Sequence, residues 1–590
     1  MLGKIVEIKS NGVTIDATID LDKTEDLLGL YVSMKSKTRN IIGEIMDIKS
    51  KFIYVNLLGE IIEDDFVFGV IRKPSFSSEV TLLEEEVTKK IIGITNYNER
   101  EHLYIGTSPI YQKMKLGFNI DTFFSGHIAI FGSTGSGKSC GISNIFQKLF
   151  SKQVEVPYRA SIFIFDAYGE YHSAFKDLSK VVPEISFKTY TTNLKFPKEE
   201  VLKIPLWLLT TDDIALLLGA EKHTQLPIIE KALKLVSVFA RDNDEVLKSK
   251  NDIIARAILD MLSSGKQAAQ IRDQIVSVLS YYNTKELNLE SIIHQPGYDR
   301  SLKQCLIIDA TGKIREMELV MNFMRTFLTD DYELVLPDGT FMYTLEDLRD
   351  AFDFALISEG ILNSNKVYDE MNILKVRLNA LLNSEYSYFF DYPEYITQDK
   401  YIKKLLTASN GMKAQVINFN INYVDDRLAK NITKIFSRML FDFAKDIDDR
   451  ASMPFHIILE EAHRYVQNDN DKFLLGYNIF ERISKEGRKY GVLLGLISQR
   501  PSELSETCLS QCNNFMIYKM LHPRDVDYIR EMVPNITDDV VKRIRILQPG
   551  TCMAFGTAFK LPTLIKMDMP NPAPSSNSTD IKNTWFVTKR

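Results

Sequence analysis

The chain has 590 residues, too many for one hydrophobic core, and at about 100–200 residues per domain it predicts about three to four units. Its 45% hydrophobic and 25% charged residues are those of a globular protein, and it holds neither a secretory h-region after Met1 nor an apolar run of about 18 residues that could span a bilayer, so no membrane partner and a cytoplasmic location are expected. A net charge of −6 excludes a generally basic coat for nucleic acid, although a ring can still line an inner channel with a few Lys and Arg.

Residues 1 to about 110 read as short strands. Lys4–Ile8, Val13–Ala17, Ile41–Ile48 and Phe52–Val55 cluster or alternate apolar and β-branched residues, and Asn11-Gly12 marks a turn between the first two. Strands at such close spacing predict a small β-barrel, a structural oligomerisation cap rather than a catalytic unit, since no titratable cluster stands out.

A parallel α/β core is expected from about 111 to 194. His127-Ile128-Ala129-Ile130-Phe131 fits a buried strand, and Gly132-Ser133-Thr134-Gly135-Ser136-Gly137-Lys138-Ser139 follows it directly. From Cys140 to Phe150, Ile142, Ile145, Phe146 and Leu149 have helical spacing. Strand, glycine-rich loop and helix together predict a phosphate cradle: the glycines let backbone N–H groups turn towards an anion, and the helix N-terminus points at the same charge. Lys138 would reach the β- and γ-phosphates and Ser139 would hold Mg²⁺, so ATP or GTP is the expected ligand of residues 132–140. A second buried strand, Ala160–Phe165, ends in Asp166-Ala167-Tyr168-Gly169-Glu170. Asp166 and Glu170 either face the nucleotide or its water, as ligands of open parallel sheets gather at the carboxyl ends of strands, or cap the next helix.

From about 195 to 410 the pattern predicts a helical insertion, with helices over Leu202–Leu218, Leu226–Ala240, Asp252–Leu262, Gln267–Tyr282, Leu345–Ile357 and Met371–Leu382. Cys305–Asp309 reads as one interrupting strand whose terminal acid has no second acid behind it.

The sheet resumes over about 411 to 569. After Ala414–Tyr423 and a helix through Ile432 and Leu440, the run Phe455–Leu459 predicts a buried strand ending in Glu460 and Glu461. A phosphate-loop enzyme needs one carboxylate on the metal side and one to polarise the attacking water; Glu460 suits the first role and Glu461 the second, the alternative being two dipole partners at a helix start. Val492–Ile497 leads to Gln499, a candidate γ-phosphate sensor. Arg488 precedes that strand and so belongs at the opposite end of the sheet, either as an arginine finger acting on a neighbouring subunit or as a solvated surface residue. Cys508 and Cys512, the one close pair of the five cysteines, read as small core residues, and Gly550–Gly556 with Leu564–Met567 as a terminal hairpin. The Pro-, Ser- and Asn-rich tail, 570–590, with its isolated Trp585-Phe586, is either disordered or strapped onto a neighbouring subunit.

These motifs resemble the HerA-type hexameric DNA translocases of the HerA/FtsK group. The likeness is carried in order by HIAIFGSTGSGKS (127–139), FDAYGEY (165–171), LEEAH (459–463), SKEGRKYG (484–491), SQRPS (498–502) and the GTxxxFGxAFxxP pattern of 550–562, and it extends to the amino-terminal barrel and the helical insertion. It implies an α/β, RecA-like P-loop NTPase core, a homohexameric ring using ATP and Mg²⁺ at each subunit interface, and double-stranded DNA in the central channel. It implies further that the barrel docks a partner such as a nuclease. By position, Lys138 and Ser139 take Walker A roles, Glu460 and Glu461 Walker B roles, Gln499 the sensor role and Arg488 the trans finger role. Two departures stand out: Glu460 replaces the Asp of many relatives, and Gly126 stands where a basic residue is expected from the archaeal members. Bacterial relatives of this length resemble the ATPase half of two-component anti-phage systems, which pair with a nuclease or an NAD-consuming effector.

Overall fold

The computed structural model describes residues 1–590 except 22–25, 64, 95, 112–113, 153–154, 242–243, 330–340, 361–364, 470, 534–535, 537, 576–580, 582–584 and 586–590. The chain forms two compact units: residues 1–200, 402–469 and 478–590, and residues 201–401 with 470–477.

The first unit opens with a closed antiparallel barrel. Gly3–Ile8 pairs with Gly12–Ala17 and with Glu79–Leu82, which pairs with Tyr31–Lys35; Asn40–Lys49 and Phe52–Ile62 follow, and the ring closes where Phe52–Asn56 meets Gly12–Asp16. Bulges at Ile42/Gly43 and Ile45/Asp47 supply the curl that closure demands. Alternate residues point inward, so Ile5, Val13, Ile15, Val32, Met34, Ile41, Ile45, Ile53, Val55 and Val80 fill the interior. The barrel is fixed to the rest of its unit: Tyr31 N donates to Tyr111 Oη at 2.7 Å, and Glu44 is paired with Arg543.

The core of this unit is a long mixed sheet. Its parallel strands lie in the order Phe187–Thr191, Val416–Asn420, Ser161–Asp166, Phe455–Leu459, Val492–Ser498, His127–Phe131 and Cys512–Ile517. It then continues antiparallel through Thr551–Gly556, Thr563–Met567, His102–Thr107 and Lys115–Asn119. Being covered on both faces, the central strands are mostly apolar rather than alternating, and every residue of His127–Phe131, Ser161–Asp166 and Val492–Ser498 is buried. Helix Lys138–Phe150 packs Ile142, Ile145, Phe146 and Leu149 into the same core. One boundary needs correction. His102–Thr107, which the sequence assigns to the barrel module of residues 1–110, hydrogen-bonds into the ATPase sheet, and the barrel strands end at Leu82.

The second unit is helical, with Thr211–Leu218, Leu226–Phe239, Asp244–Ser263, Ala268–Tyr281, Met317–Arg325, Leu345–Gly360 and Asn365–Leu382. It differs from the sequence reading in two places. The expected helix from Leu202 begins only at Thr211, because Pro205 precedes a short 3₁₀ turn at Leu206–Leu208 and Thr210 forms a capping box with Asp213. The expected strand Cys305–Asp309 does not form; Ser301 and Gln304 make a second capping box that starts a helical turn over Leu302–Cys305, and Asp309 is spent on a turn, accepting from Thr311 N at 2.8 Å and Lys313 N at 3.2 Å. The unit also takes in residues 470–477, where the Tyr477 hydroxyl donates to Asp212 at 2.8 Å.

Residues 571–575 of the tail lie along their own chain, which corrects both expectations for that stretch. Asn571 N donates to Gln147 Oε1 (2.8 Å), Gln147 Nε2 to the Pro572 carbonyl (2.7 Å), Ser173 Oγ to the Ala573 carbonyl (3.1 Å) and Ser575 N to the Glu170 carbonyl (3.0 Å). Trp585 is exposed, and Phe586 lies outside the described residues.

Candidate active site

The strand His127–Phe131 ends in the loop 132–137, and Lys138 opens the helix. Gly135 and Gly137 have φ of +73° and +108°, in the left-handed region that costs a β-carbon-bearing residue about 1 kcal/mol or more. A β-carbon on Gly137 would also reach 3.0 Å from Gly550 N, and that same N–H donates to the Ser136 carbonyl at 2.9 Å. Gly550 of the terminal hairpin thus braces the loop from outside, while Ser133 N donates to the Lys519 carbonyl at 2.8 Å on its other flank. The loop is pre-shaped by long-range bonds that its own sequence does not contain.

Lys138 is buried, and its Nζ donates to the carbonyls of Gly132 (2.8 Å) and Ser133 (3.2 Å). Burial pulls its pKa down, and Glu461, Glu460 and Glu170 pull it back up. Ser139 Oγ lies 3.5 Å from Glu460 Oε1, so the helix start and the end of Phe455–Leu459 converge on one point. The other oxygen of Glu460 accepts from Ala167 N at 3.2 Å. Cys140 is partly exposed, with burial and Glu170 raising its thiol pKa, which keeps it a thiol rather than a nucleophile.

Asp166 sits beside these groups and is engaged by its own chain. Its oxygens accept from Glu170 N (3.0 Å), Tyr171 N (3.0 Å) and Asn418 Nδ2 (3.3 Å), which is the helix-starting one of the two roles open to it. Its influence is electrostatic. Glu460 is raised well above the usual carboxylate range first by burial, then by Asp166, Glu170 and Glu461. A buried carboxyl in that company ionises only beside a cation.

That is the fit test for Mg²⁺, and the residues pass it. No group of three or more His, Cys, Asp or Glu among the described residues forms a cage for a metal, whereas Mg²⁺ needs only one or two protein ligands when phosphates supply the rest. Ser139 and Glu460 are the residues that would hold it, and when bound it would neutralise phosphate charge.

Glu461 has φ of +48°, an uncommon conformation for a glutamate and one that stores of order 1–3 kcal/mol. The turn buries its side chain, and its Oε2 makes no hydrogen bond among the described residues. Burial raises its pKa, while Lys138, Arg464 and the Gln499 N–H lower it. Gln499 follows the strand Val492–Ser498, which lies between the other two, and its Oε1 accepts from Thr134 Oγ1 of the loop at 2.7 Å. Three neighbouring strands therefore deliver the loop, the acid pair and the amide to one end of the sheet.

Arg488 is elsewhere. It stands exposed on the 3₁₀ turn Gly487–Tyr490 before Val492–Ser498, at the amino end of the strands, and makes no ion pair among the described residues. Its charge is felt by His127 at the start of the loop strand. The residue missed by sequence reasoning is His463, whose Nδ1 is 3.2 Å from Glu461 Oε2 and 3.1 Å from Ser498 Oγ; its place inside the LEEAH run was the available signal.

Residues 103–328 match the family described as "Helicase HerA, central domain". Over 571 residues the chain is 24% identical to the "Probable DNA double-strand break repair helicase HerA" of Methanocaldococcus jannaschii, covering 95% of this chain and 92% of the relative. It is 30% identical over 196 residues to the "DNA double-strand break repair helicase HerA" of Saccharolobus solfataricus, covering 32% of this chain and 39% of the relative. Among solved structures, the plasmid coupling protein TrwB in complex with ADP and Mg²⁺ aligns with a TM-score of 0.40 at 12% identity, over 81% of this chain and 96% of that one. With its phosphate loop and acid pair, the chain is an ATPase whose residues 103–328 are similar to the central domain of HerA helicases.

Proposed function

We propose that the chain is one subunit of a homohexameric ring that uses ATP and Mg²⁺ to move double-stranded DNA through its centre. The observation that carries this reading is the division of charged groups between the two ends of the sheet. The loop, Glu460, Glu461 and Gln499 meet at one end, and the exposed Arg488 stands at the other, where only a second copy can use it. In the reaction, Lys138 and the loop N–H groups hold the phosphates, Ser139 and Glu460 face the metal side, and Glu461 accepts a proton from water as its oxygen bonds to the γ-phosphorus and the bond to the β-phosphate breaks. Gln499 senses the γ-phosphate from Thr134's side of the loop. Arg488 of the adjacent copy enters as the trans finger. The DNA assignment is supported by the names of relatives that align end to end with the chain.

The test is ATP turnover with and without long duplex DNA. A rise on adding DNA, lost in Lys138→Ala, is expected; turnover indifferent to every DNA tried would sink the translocase reading. The barrel, on this reading, docks a nuclease or an NAD-consuming effector, as the motor of an anti-phage pair would require. A second reading, a ring that binds nucleotide only to assemble such an effector, is favoured by the barrel's separate apolar core. Removing residues 1–82 rather than 1–110 spares the sheet strand His102–Thr107 and should abolish effector capture on either reading, leaving DNA-stimulated turnover as the discriminating result.

A further inference from the structure

A general base works only if its lone pair is aimed, and aim needs a partner. Glu461 is held by a strained backbone at φ +48°, yet its Oε2 is buried without a hydrogen bond among the described residues. His463 lies two residues on, within the 3₁₀ turn Ala462–Arg464, with its side chain largely buried. Its Nδ1 is 3.2 Å from Glu461 Oε2 and 3.1 Å from Ser498 Oγ. Ser498 Oγ in turn accepts from Arg500 N at 2.9 Å, and the next residue, Gln499, is the one bonded to Thr134 in the phosphate loop. His463 is therefore a second link, beside the Gln499 N–H, between the base and the strand end that touches the loop.

The tautomer follows from electrostatics. An imidazole lone pair 3.2 Å from an ionised carboxylate oxygen is repulsive, whereas an N–H there is attractive. With Glu461 ionised, Nδ1 carries the hydrogen, which Ser498 Oγ accepts at 3.1 Å, and Oε2 lies close by at 3.2 Å. The distances are those of an arrangement that tightens when substrate and water complete the site.

We propose that His463 is a positioning residue for ATP hydrolysis, its Nδ1–H fixing the Glu461 carboxylate towards the attacking water and tying that carboxylate to the Ser498–Gln499 strand end. The proposal rests on Glu461 being the base.

The test uses the full chain carrying His463→Ala, His463→Asn or His463→Gln, alone and with Glu461→Asp, and reads kcat, KM and binding of a fluorescent ATP analogue. An asparagine amide nitrogen falls near the Nδ1 position and a glutamine amide nitrogen near Nε2, so the two variants report which ring nitrogen matters. His463→Ala should lower kcat by on the order of tenfold or more with KM and analogue binding within about twofold. His463→Asn should recover most of the loss and His463→Gln little. In the Glu461→Asp background, whose shortened acid no longer meets the imidazole, His463→Ala should cost nothing further. Equal impairment of the Asn and Ala variants, or an undiminished loss in the Glu461→Asp background, would overturn the proposal. If Glu461→Gln alone retains full turnover, it is the underlying assignment of the base that fails, an outcome distinct from either.

Discussion

Three adjacent strands, Phe455–Leu459, Val492–Ser498 and His127–Phe131, carry opposite chemistry at their two ends. At the carboxyl end Asp166, Glu170, Glu460 and Glu461 crowd around Lys138. At the amino end stand the buried His127, the partly buried His456 and the exposed Arg488. Burial pushes His127 down to about 4 and lowers His456 as well, so neither histidine is charged near neutrality. Each instead serves as a hydrogen-bonding bolt: His127 Nδ1 accepts from Leu494 N at 2.9 Å while Nε2 donates to the Ser484 carbonyl at 3.0 Å, and His456 Nε2 donates to the Phe124 carbonyl at 2.9 Å. One end of the sheet needs cations and the other keeps an exposed one it does not use. The difference is what the proposed sharing of a site between neighbouring copies rests on.

The comparison breaks most completely at the acid end. Glu461→Gln should cut ATP turnover by about 10³-fold or more while analogue binding survives, measured as steady-state phosphate release. Arg488→Ala, at the far end, should lower turnover by on the order of 10³-fold without changing the melting temperature, because its side chain is exposed and makes no ion pair among the described residues. Differential scanning calorimetry checks that half of the expectation.

The histidines sharpen the contrast through pH. His127 binds a proton near pH 4 when folded and near 6.5 when unfolded, so between those values the unfolded chain holds the extra proton. Stability should therefore be fully present above pH 6.5, fall as pH drops towards 4, and level off below, with a contribution from His127 of up to about 3 kcal/mol. Chemical denaturation across pH 4–7 reads this, and His127→Gln should flatten the slope to the share owed to His456 and other groups. The smallest effect is expected at Gln499→Ala: about a tenfold fall in kcat, since Gln499 touches the loop through Thr134 alone and the acid pair stays intact.

Much of this site was legible because its signals are local. His127–Ser139 states strand, turn and helix within thirteen residues, and LEEAH places two acids at a strand end. What was not legible depends on distant partners. Nothing near Glu461 says that its backbone turns left-handed, because that conformation is imposed by the packing after Phe455–Leu459. Gly550 bracing Gly137 is separated from it by more than four hundred residues of chain. The bond from Asn418, on another strand, to the Asp166 carboxylate is likewise invisible in the local sequence. The barrel strands Tyr31–Lys35 and Glu79–Leu82 escaped notice since each is short and mixed in polarity, and only ring closure makes them strands. At Cys305–Asp309 the apolar run suggested a strand, but the preceding Ser301–Gln304 box is itself a readable helix start that should have outweighed it.

The two ends of the sheet meet in one experiment. Subunits carrying Arg488→Ala keep Glu461, and subunits carrying Glu461→Gln keep Arg488, so in mixed rings an interface that pairs the two intact residues should hydrolyse ATP. Turnover measured across mixing ratios should rise from near zero in either pure variant to a maximum at intermediate composition. A flat, inactive profile at every ratio would contradict a site shared between neighbouring copies.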